Sequence, residues 1–539
     1  MNPTEQQSAV IECDSPQIAV IAGPGSGKTA TLVERIKHRG IPAKEIVCIT
    51  FTNTGANEMR KRLLPIQPRF VGTIHRFMFG LLQKHGHMIG YRRGGIGLVD
   101  EETRTRMLLA IRNEMGHKKL SEKKLMEKDG LDAQQIWAEY GFRIKRENMI
   151  DYDTILVHGL RLLSNEIVRD EYAITDLYVD EVQDSGDIDW QIIRQFPAQN
   201  TFLVGDPDQS IFSFRGGRPA LFVAHADNPG TTILTLEDCF RCNLEIADAA
   251  NKLISRNIQR IEKWIRPVSN LSGIVSVNFK QNPHAEHRWL INAISDDLAT
   301  GTTPSEIAVL ARMNWLVNDA RDVLRDAGIP IHEPPRIPNL KEWSAALALV
   351  GLLVDPESTI LTEKYLLLTK HEHEVNAMKG RALAAKSTLP EVAKIVPPNF
   401  SITPENVPQF LSMKGIGPET IETVQGRLTE SQPTTVADLL HDLWNRDQWE
   451  EHRGGGVTVA TAHGSKGREY DAVFVIGMEE GIFPLLRKDT DIEEERRLAF
   501  VAFTRARRSL RISASMFRKP VFGSPKPFVP SRFIAEAGL

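Results

Sequence analysis

The sequence predicts an α/β protein built on parallel sheets, and two kinds of segment say so. Residues 18–22 form an apolar run too short for a helix, and a glycine-rich loop joins it to an amphipathic segment at 29–38, giving strand, loop and helix in succession. Further short apolar runs at 45–52, 177–179 and 201–204 each stop at a cluster of polar residues. That is the pattern of buried strands carrying functional groups at their carboxyl ends.

The 539 residues suffice for roughly three or four domains of about 150 residues each. With 41% hydrophobic and 25% charged residues, the chain can bury large cores. A net charge of -3 excludes a broadly basic surface, so a nucleic-acid partner would have to be met by a local groove. The four cysteines, Cys13, Cys48, Cys239 and Cys242, are too few and scattered for a disulfide framework and favour a reducing cytosol. Cys239 and Cys242 make a single C-x-x-C without a second pair or a nearby histidine, so no metal site is expected there. The N-terminus lacks a basic region followed by an apolar core, and no signal peptide is expected. The longest apolar stretch, 343–354, is shorter than a membrane span and reads as a core helix. A cytoplasmic protein is the expectation.

The first strand leads into Ala22-Gly23-Pro24-Gly25-Ser26-Gly27-Lys28-Thr29. Three glycines let successive N–H groups turn toward a polyphosphate, and the following helix adds its positive end. Lys28 would reach the β- and γ-phosphates, and the Thr29 hydroxyl would hold Mg²⁺. Ala22 stands where the strict pattern has glycine, so the match is to the broader, alanine-tolerant form. Before the loop, residues 2–10 start a short helix capped by Asn2 or Thr4. Its Gln6 can donate and accept at once, as reading the edge of adenine requires.

After the loop, the strand at 45–52 ends near Phe51, and Thr52-Asn53-Thr54 leads into a helix at 55–64. Gly72-Thr73-Ile74-His75 follows another short apolar run. Lys and Glu crowd residues 114–128, a solvated helical face. The run 177–179 ends in Asp180-Glu181-Val182-Gln183-Asp184. Hydrolysis of a Mg-nucleotide needs two such carboxylates, one on the metal and one placed to take a proton from water. Acidic pairs are common and mostly solvated; the preceding phosphate loop is what singles this one out. The run 201–204 ends in Gly205-Asp206-Pro207-Asp208-Gln209, whose glutamine suits a γ-phosphate sensor. Phe212, Phe214 and Arg215 then set aromatics beside a cation, a pattern for stacking on bases. Two rings at spacing two also fit one face of a strand.

These segments, taken in order, resemble the UvrD, Rep and PcrA group of superfamily-one DNA helicases. The resemblance continues through Leu236-Glu237-Asp238-Cys239-Phe240-Arg241 and through residues 457–469, which hold Thr461-Ala462-His463-Gly464-Ser465-Lys466-Gly467-Arg468-Glu469. It extends to Gly477-Met478-Glu479-Glu480-Gly481-Ile482-Phe483-Pro484 and to Glu494-Glu495-Arg496-Arg497-Leu498 with Val501-Ala502-Phe503-Thr504-Arg505-Ala506. It implies two RecA-like P-loop motor domains, each a parallel sheet with flanking helices and a mainly helical insertion. Residues 1–84 and 175–235 would form the first motor, with 85–174 inserted. Residues 236–339 and 454–539 would form the second, with strands at 273–280, 306–312, 457–461 and 472–477, and a shortened insertion at 340–453. That insertion holds Lys414-Gly415-Ile416-Gly417-Pro418-Glu419-Thr420, similar to a hairpin that family members place near duplex DNA. The longer C-terminal tails of some members are not expected.

The resemblance further implies ATP and Mg²⁺ between the halves. Gln6 would lie on adenine, residues 22–29 on phosphate, Asp180 and Thr29 on the metal, and Glu181 would be the general base. Gln209, Arg241 and Arg505 would address the γ-phosphate; Phe240 would stack on the base, and Gly467 and Glu469 would lie at the ribose. Ala30 stands where many relatives carry an arginine that packs on adenine. Single-stranded DNA would cross both halves over Phe51, Thr52, Asn53, Phe212 and Phe214, with His75, Arg215 and His463 at sugar or phosphate. Relatives carry tryptophan and tyrosine where this chain has Phe214 and Phe212. The implied activity is a 3′ to 5′ DNA helicase acting at junctions of single and double strands. The alternatives are a motor for a nuclease-coupled or phage-defence complex, with a nuclease or repair partner, and a translocase that strips proteins from DNA. An RNA helicase fits the resemblance least.

Overall fold

The computed structural model describes residues 3–93, 95–213, 216–332, 339–397, 400, 402–444, 455–488, 490–518 and 526–539. Two wholly parallel sheets organise it. The first comprises β1 (Gln17–Ala22), β2 (Ile46–Thr50), β3 (Phe70–Thr73), β4 (Ile174–Val179), β5 (Ala198–Gly205) and β6 (Thr232–Leu236), in the spatial order β3-β2-β4-β5-β1-β6. Both faces of β1 are covered, which is why it reads as a continuous apolar run. Ala19 and Ile21 face one apolar cluster, while Ile18, Val20 and Ala22 face another. After β1, which lies beside the edge strand β6, the chain crosses β5 and β4 to reach β2, so the carboxyl end of β1 opens on the crevice where such sheets take ligands.

The second sheet comprises β7 (Ile274–Lys280), β8 (Ile307–Ala311), β9 (Thr458–Thr461), β10 (Tyr470–Val475) and β11 (Ala506–Ser515), in the order β7-β11-β10-β8-β9. Four of these strands coincide with the apolar runs expected from sequence; β11, the longest, does not. Three arginines in Ala-Arg-Arg-Ser-Leu-Arg mask it. In the fold, Arg511 is neutralised by Asp297 and lies over the Phe474 ring, while Leu510, Ile512 and Ala514 alternate into the core.

Two smaller boundaries also differ from expectation. The helix expected from residue 55 begins at Asn53, because the Thr52 hydroxyl accepts the Gly55 N–H and caps it. The charged stretch 114–128 is the end of one helix, a turn and the short helix Glu122–Met126, exposed apart from Leu125 and a few half-buried positions. The stretch 343–354 lies in the core helix Leu340–Val354. No helix among the described residues is long and apolar enough to cross a membrane.

Helices dominate between β3 and β4 and again between residues 340 and 444. These two helical regions share one apolar cluster with a face of the first sheet: Leu108, Tyr140, Trp343, Leu349 and Leu439 belong with Ile21 and Ile49. Among the described residues, neither cluster on the second sheet includes a residue of 340–444. The later helical region is therefore docked on the first sheet's side, where Arg76 also pairs with Asp442 at 3.3 Å.

Candidate active site and nucleic-acid interface

The phosphate loop is held from three directions. The Gly23 N–H donates to the Leu236 carbonyl at the end of β6, and the Ser26 hydroxyl donates back to the Gly23 carbonyl at 2.7 Å. Gly25 and Gly27 have φ of 70° and 76°, left-handed values that a side chain would strain. A Cβ on Gly25 would also lie 2.6 Å from the Arg241 Cβ, so the second half of the chain presses on the loop. The helix Lys28–Arg39 starts at Gly27 without a side-chain cap, leaving its first N–H groups for an anion.

Two neighbouring glutamines divide the support. Gln6 gives its side-chain oxygen to the Glu237 N–H at 2.8 Å, so in this conformation it keeps only its donors for a base edge. Gln7, which the sequence reading passes over, is buried; its amide donates to the Ser26 carbonyl and its oxygen closes a capping box with Thr4. Nothing in the Gln-Gln pair itself distinguishes the two. The helix period does, because one step of 100° turns Gln7 inward.

At the carboxyl end of β4, Asp180 accepts the Thr29 hydroxyl at 3.2 Å, and Glu181 pairs with the Lys28 ammonium at 2.9 Å. Glu181 holds a left-handed φ of 55°, unusual for a side-chain-bearing residue and a form of strain that concentrates at functional sites. Burial, and then Glu181, push the Asp180 carboxyl up; burial acts on Glu181 too, but Lys28 and Lys466 outweigh it and hold that carboxyl low. The neighbours thus favour different protonation states. The Thr29 hydroxyl and Asp180 carboxylate are hard oxygen donors side by side, a set that fits Mg²⁺.

β5 ends in a turn at Pro207–Gln209, where the Gln209 amide donates to Asp206 and its oxygen accepts from Arg505 at 3.4 Å. Arg505 is 2% exposed. Its guanidinium bonds only to the Val501 and Arg468 carbonyls, the Thr504 hydroxyl and Gln209, and no carboxylate lies within ion-pair distance among the described residues. Burial, then Arg241, push its pKa down to about 9. It remains a cation at neutral pH, with the Glu181 and Glu469 carboxylates acting on it only from beyond ion-pair distance. Arg241, by contrast, is paired with Glu469 at 2.5 Å, and Glu469 also meets Arg507 at 2.8 Å. Burial opposes ionisation of Glu469, but the two arginines bring its carboxyl down to about 2. The Phe240 ring is half-exposed and its N–H donates to the Gly25 carbonyl; Gly467, with φ of 85°, turns the chain toward Glu469.

The turn after β5 belongs by chain to the first sheet, yet residues accompanying the second sheet grip it. Lys263 reaches Asp206 and Asp208 at 2.6 and 2.5 Å, and Arg260 reaches Asp208 at 2.9 Å. Lys466 bonds the Gln209 carbonyl, Arg497 the Ser210 carbonyl, and Glu494 accepts the Ser213 N–H. None of Lys263, Arg260 and Lys466 is singled out by sequence. Lys466 lies inside the 457–469 segment and could have been found there; Lys263 and Arg260 carry no local signal.

Two of the expected base-stacking rings lie together. Phe51, just beyond β2, stacks on Phe212 with ring centres 5.6 Å apart and planes at 19°. Phe214 and Arg215 lie outside the described residues. Thr52 is committed to capping and Asn53 opens the capped helix. His75 stacks on Tyr152 at 4.1 Å, and burial, then His441, lower its pKa to about 3, so it would meet a sugar or phosphate as a neutral hydrogen-bonding group. A neutral imidazole can hydrogen-bond to a backbone but cannot neutralise a phosphate. His463 starts the short turn after β9, half-buried.

The UvrD/REP helicase N-terminal domain matches residues 3–131 and 112–229, and the UvrD-like helicase C-terminal domain matches 419–516. The chain is 27% identical to the ATP-dependent DNA helicase UvrD1 of Mycobacterium tuberculosis, over 99% of its own length and 85% of that protein's. It is 26% identical to the ATP-dependent DNA helicase PcrA of Bacillus subtilis, over 99% and 85%, and to DNA helicase II of Escherichia coli, over 99% and 87%.

Proposed function

Since the chain belongs to the UvrD-like helicases and is an ATP-dependent DNA helicase, we propose that it moves 3′ to 5′ along single-stranded DNA by opening and closing two motor halves around ATP. The proposed halves are 1–84 with 175–235 and 236–339 with 454–539, and 85–174 and 340–453 are their insertions. The observation that carries the reading is Arg505, a buried cation beside the Gln209 side chain with no carboxylate within ion-pair distance among the described residues. Such a charge is costly unless an anion completes it, and the γ-phosphate is the anion that the neighbouring loop would present.

Residues 22–29 would take the phosphates, with Gln6 and Phe240 at the base and Glu469 at the ribose once Arg241 leaves it for phosphate. Mg²⁺, held by Thr29 and Asp180, would supply charge neutralisation between phosphates. Lys28 cannot serve both Glu181 and a phosphate fully. When it turns to phosphate, Glu181 becomes free to accept a proton from the attacking water. Because Arg241 and Arg505 come from the opposite half to Lys28, hydrolysis would require the halves to meet. Single-stranded DNA would lie over Phe51 and Phe212, and the turn at 414–417, where the Gly417 N–H donates to Glu342, would approach the duplex.

Strand displacement on 3′-tailed, 5′-tailed and blunt duplexes tests the proposal, with Lys28→Ala as the control that binds no nucleotide. Displacement of the 3′-tailed duplex alone is expected. Preference for the 5′ tail would reverse the direction, and translocation without displacement would leave a protein-stripping motor.

A further inference from the structure

Arg241 is flanked by two thiols, Cys239 and Cys242, in the run Cys239-Phe240-Arg241-Cys242. Both cysteines are free and 1% exposed. Cys239 ends a two-residue strand paired with Arg266–Pro267, and its sulfur lies against the phosphate loop, 3.0 Å from where a Cβ on Gly25 would stand. The Cys242 N–H donates to the Cys239 sulfur at 3.3 Å, and the Cys242 thiol lies 3.8 Å from the Thr504 carbonyl, which Arg241 also bonds. Buried cysteines are ordinarily inert. This pair differs because donors converge on one sulfur. The Cys242 thiol, and behind it the N–H groups of Cys242 and Arg241, stabilise a Cys239 thiolate and hold its pKa low against burial, while the Cys242 thiol is raised. One nucleophilic sulfur beside one protonated partner is the arrangement of a dithiol that closes on itself.

We propose that Cys239 and Cys242 form a reversible disulfide that switches off the ATP site by displacing Arg241. The role given to Arg241 rests on the function proposed above; the disulfide itself does not. With a peroxide as oxidant, the Cys239 thiolate attacks one peroxide oxygen, the O–O bond breaks, and a sulfenic acid and hydroxide result. The Cys242 sulfur then attacks the Cys239 sulfur; the S–S bond forms, the S–O bond breaks, and the hydroxyl leaves as water with the thiol proton. Two thiols and one peroxide give one disulfide and two waters, the first hydroxide having taken up the proton released when Cys239 ionised. Closing the ring draws Cys242 from Thr504 and moves the backbone of Arg241 between them. A displacement of about 1 Å at a positioned group lowers turnover roughly a hundredfold.

Trypsin cleaves after Arg241, so digestion releases the two thiols on separate peptides unless a disulfide joins them. The experiment treats the full chain with hydrogen peroxide, digests one aliquot under alkylating conditions for mass spectrometry, and assays another for ATP hydrolysis before and after dithiothreitol. The expected result is a linked peptide pair two hydrogens lighter than the sum, a fall in turnover of roughly a hundredfold, and recovery of both on reduction. Cys239→Ala/Cys242→Ala, checked for an unchanged melting temperature, should keep its turnover through the same treatment. Cys242→Ala should stop at a Cys239 sulfenic acid, trapped by a dimedone-type probe. The inference is overturned if the linked pair never forms, if it forms without loss of turnover, or if the double variant is inactivated equally. A reduced protein that forms the linked pair but hydrolyses no ATP would instead refute the proposed function, because the mass measurement does not depend on it.

Discussion

The Lys466 ammonium joins the Asp184 carboxylate to the Gln209 carbonyl, the latter at 2.8 Å, and lies 5.1 Å from the centre of the Phe212 ring. One side chain accompanying the second sheet thus touches the acidic segment, the sensor turn and an aromatic of the base platform. Lys466→Met should lower DNA-stimulated ATP turnover roughly ten- to a hundredfold, the range expected for losing charged hydrogen bonds of about 1.5–3 kcal/mol. Lys466→Arg should lose less. ATPase rates with and without single-stranded DNA decide it: a ratio of stimulated to basal turnover equal to that of the wild type would remove Lys466 from the coupling.

The same contact gives a pH dependence. Burial pushes the Asp184 carboxyl up to about 6 even though Lys466 pulls the other way. Above that pH the ion pair is formed; below it Asp184 is protonated and the pair is lost. DNA-stimulated turnover should therefore fall as pH drops through about 6, and Asp184→Asn should be low and flat across that range. For stability the sign is opposite. The folded pKa lies above the unfolded reference of about 3.9, so the folded state binds the extra proton between about 4 and about 6, and this group's contribution to stability declines as pH rises through that window. Turnover lost on acidification should accordingly precede unfolding, as circular dichroism would record.

Arg505→Ala should keep nucleotide affinity within a small factor yet lose roughly a thousandfold or more in turnover, because the interaction belongs to the transition state. Single-turnover hydrolysis beside fluorescent-nucleotide titration separates the two quantities. An unchanged kcat would place Arg505 outside the chemistry.

Phe212→Ala should reduce single-strand affinity by about 1–3 kcal/mol and lower the nucleotides moved per ATP. Anisotropy titration and stopped-flow translocation on end-labelled oligonucleotides measure these. If neither changes, the stack of Phe212 on Phe51 is packing alone.

Lys263 is 5% exposed and sits between two carboxylates, Asp206 and Asp208, that are 0% and 1% exposed. Lys263→Met would leave buried negative charge incompletely paired and should destabilise the chain by about 3–5 kcal/mol. Lys263→Arg, which keeps the charge, should recover part of it. Urea unfolding reads both, and a midpoint unmoved by Lys263→Met would show that the two carboxylates relax to water.

The phosphate loop, the carboxylates at 180 and 181 and most of the parallel strands were legible in the sequence because each is a local pattern. A buried strand must be apolar along its length, a backbone wrapped on phosphate needs glycine at left-handed φ, and helix periodicity repeats within a few residues. Strand β11 was not, because its arginines are neutralised by carboxylates distant in the chain, such as Asp297 for Arg511. Nor was the neutrality of His75, which depends on burial against Tyr152 and on His441, in a helix more than three hundred residues later. The tertiary structure alone decided that the later helical region docks on the first sheet's side. It alone decided that Lys263, Arg260 and Lys466 grip a turn belonging to the other sheet. Those are pairings of charge and shape between segments far apart in the chain. Residue order places no constraint on such pairings until the chain has folded and water has been excluded between them.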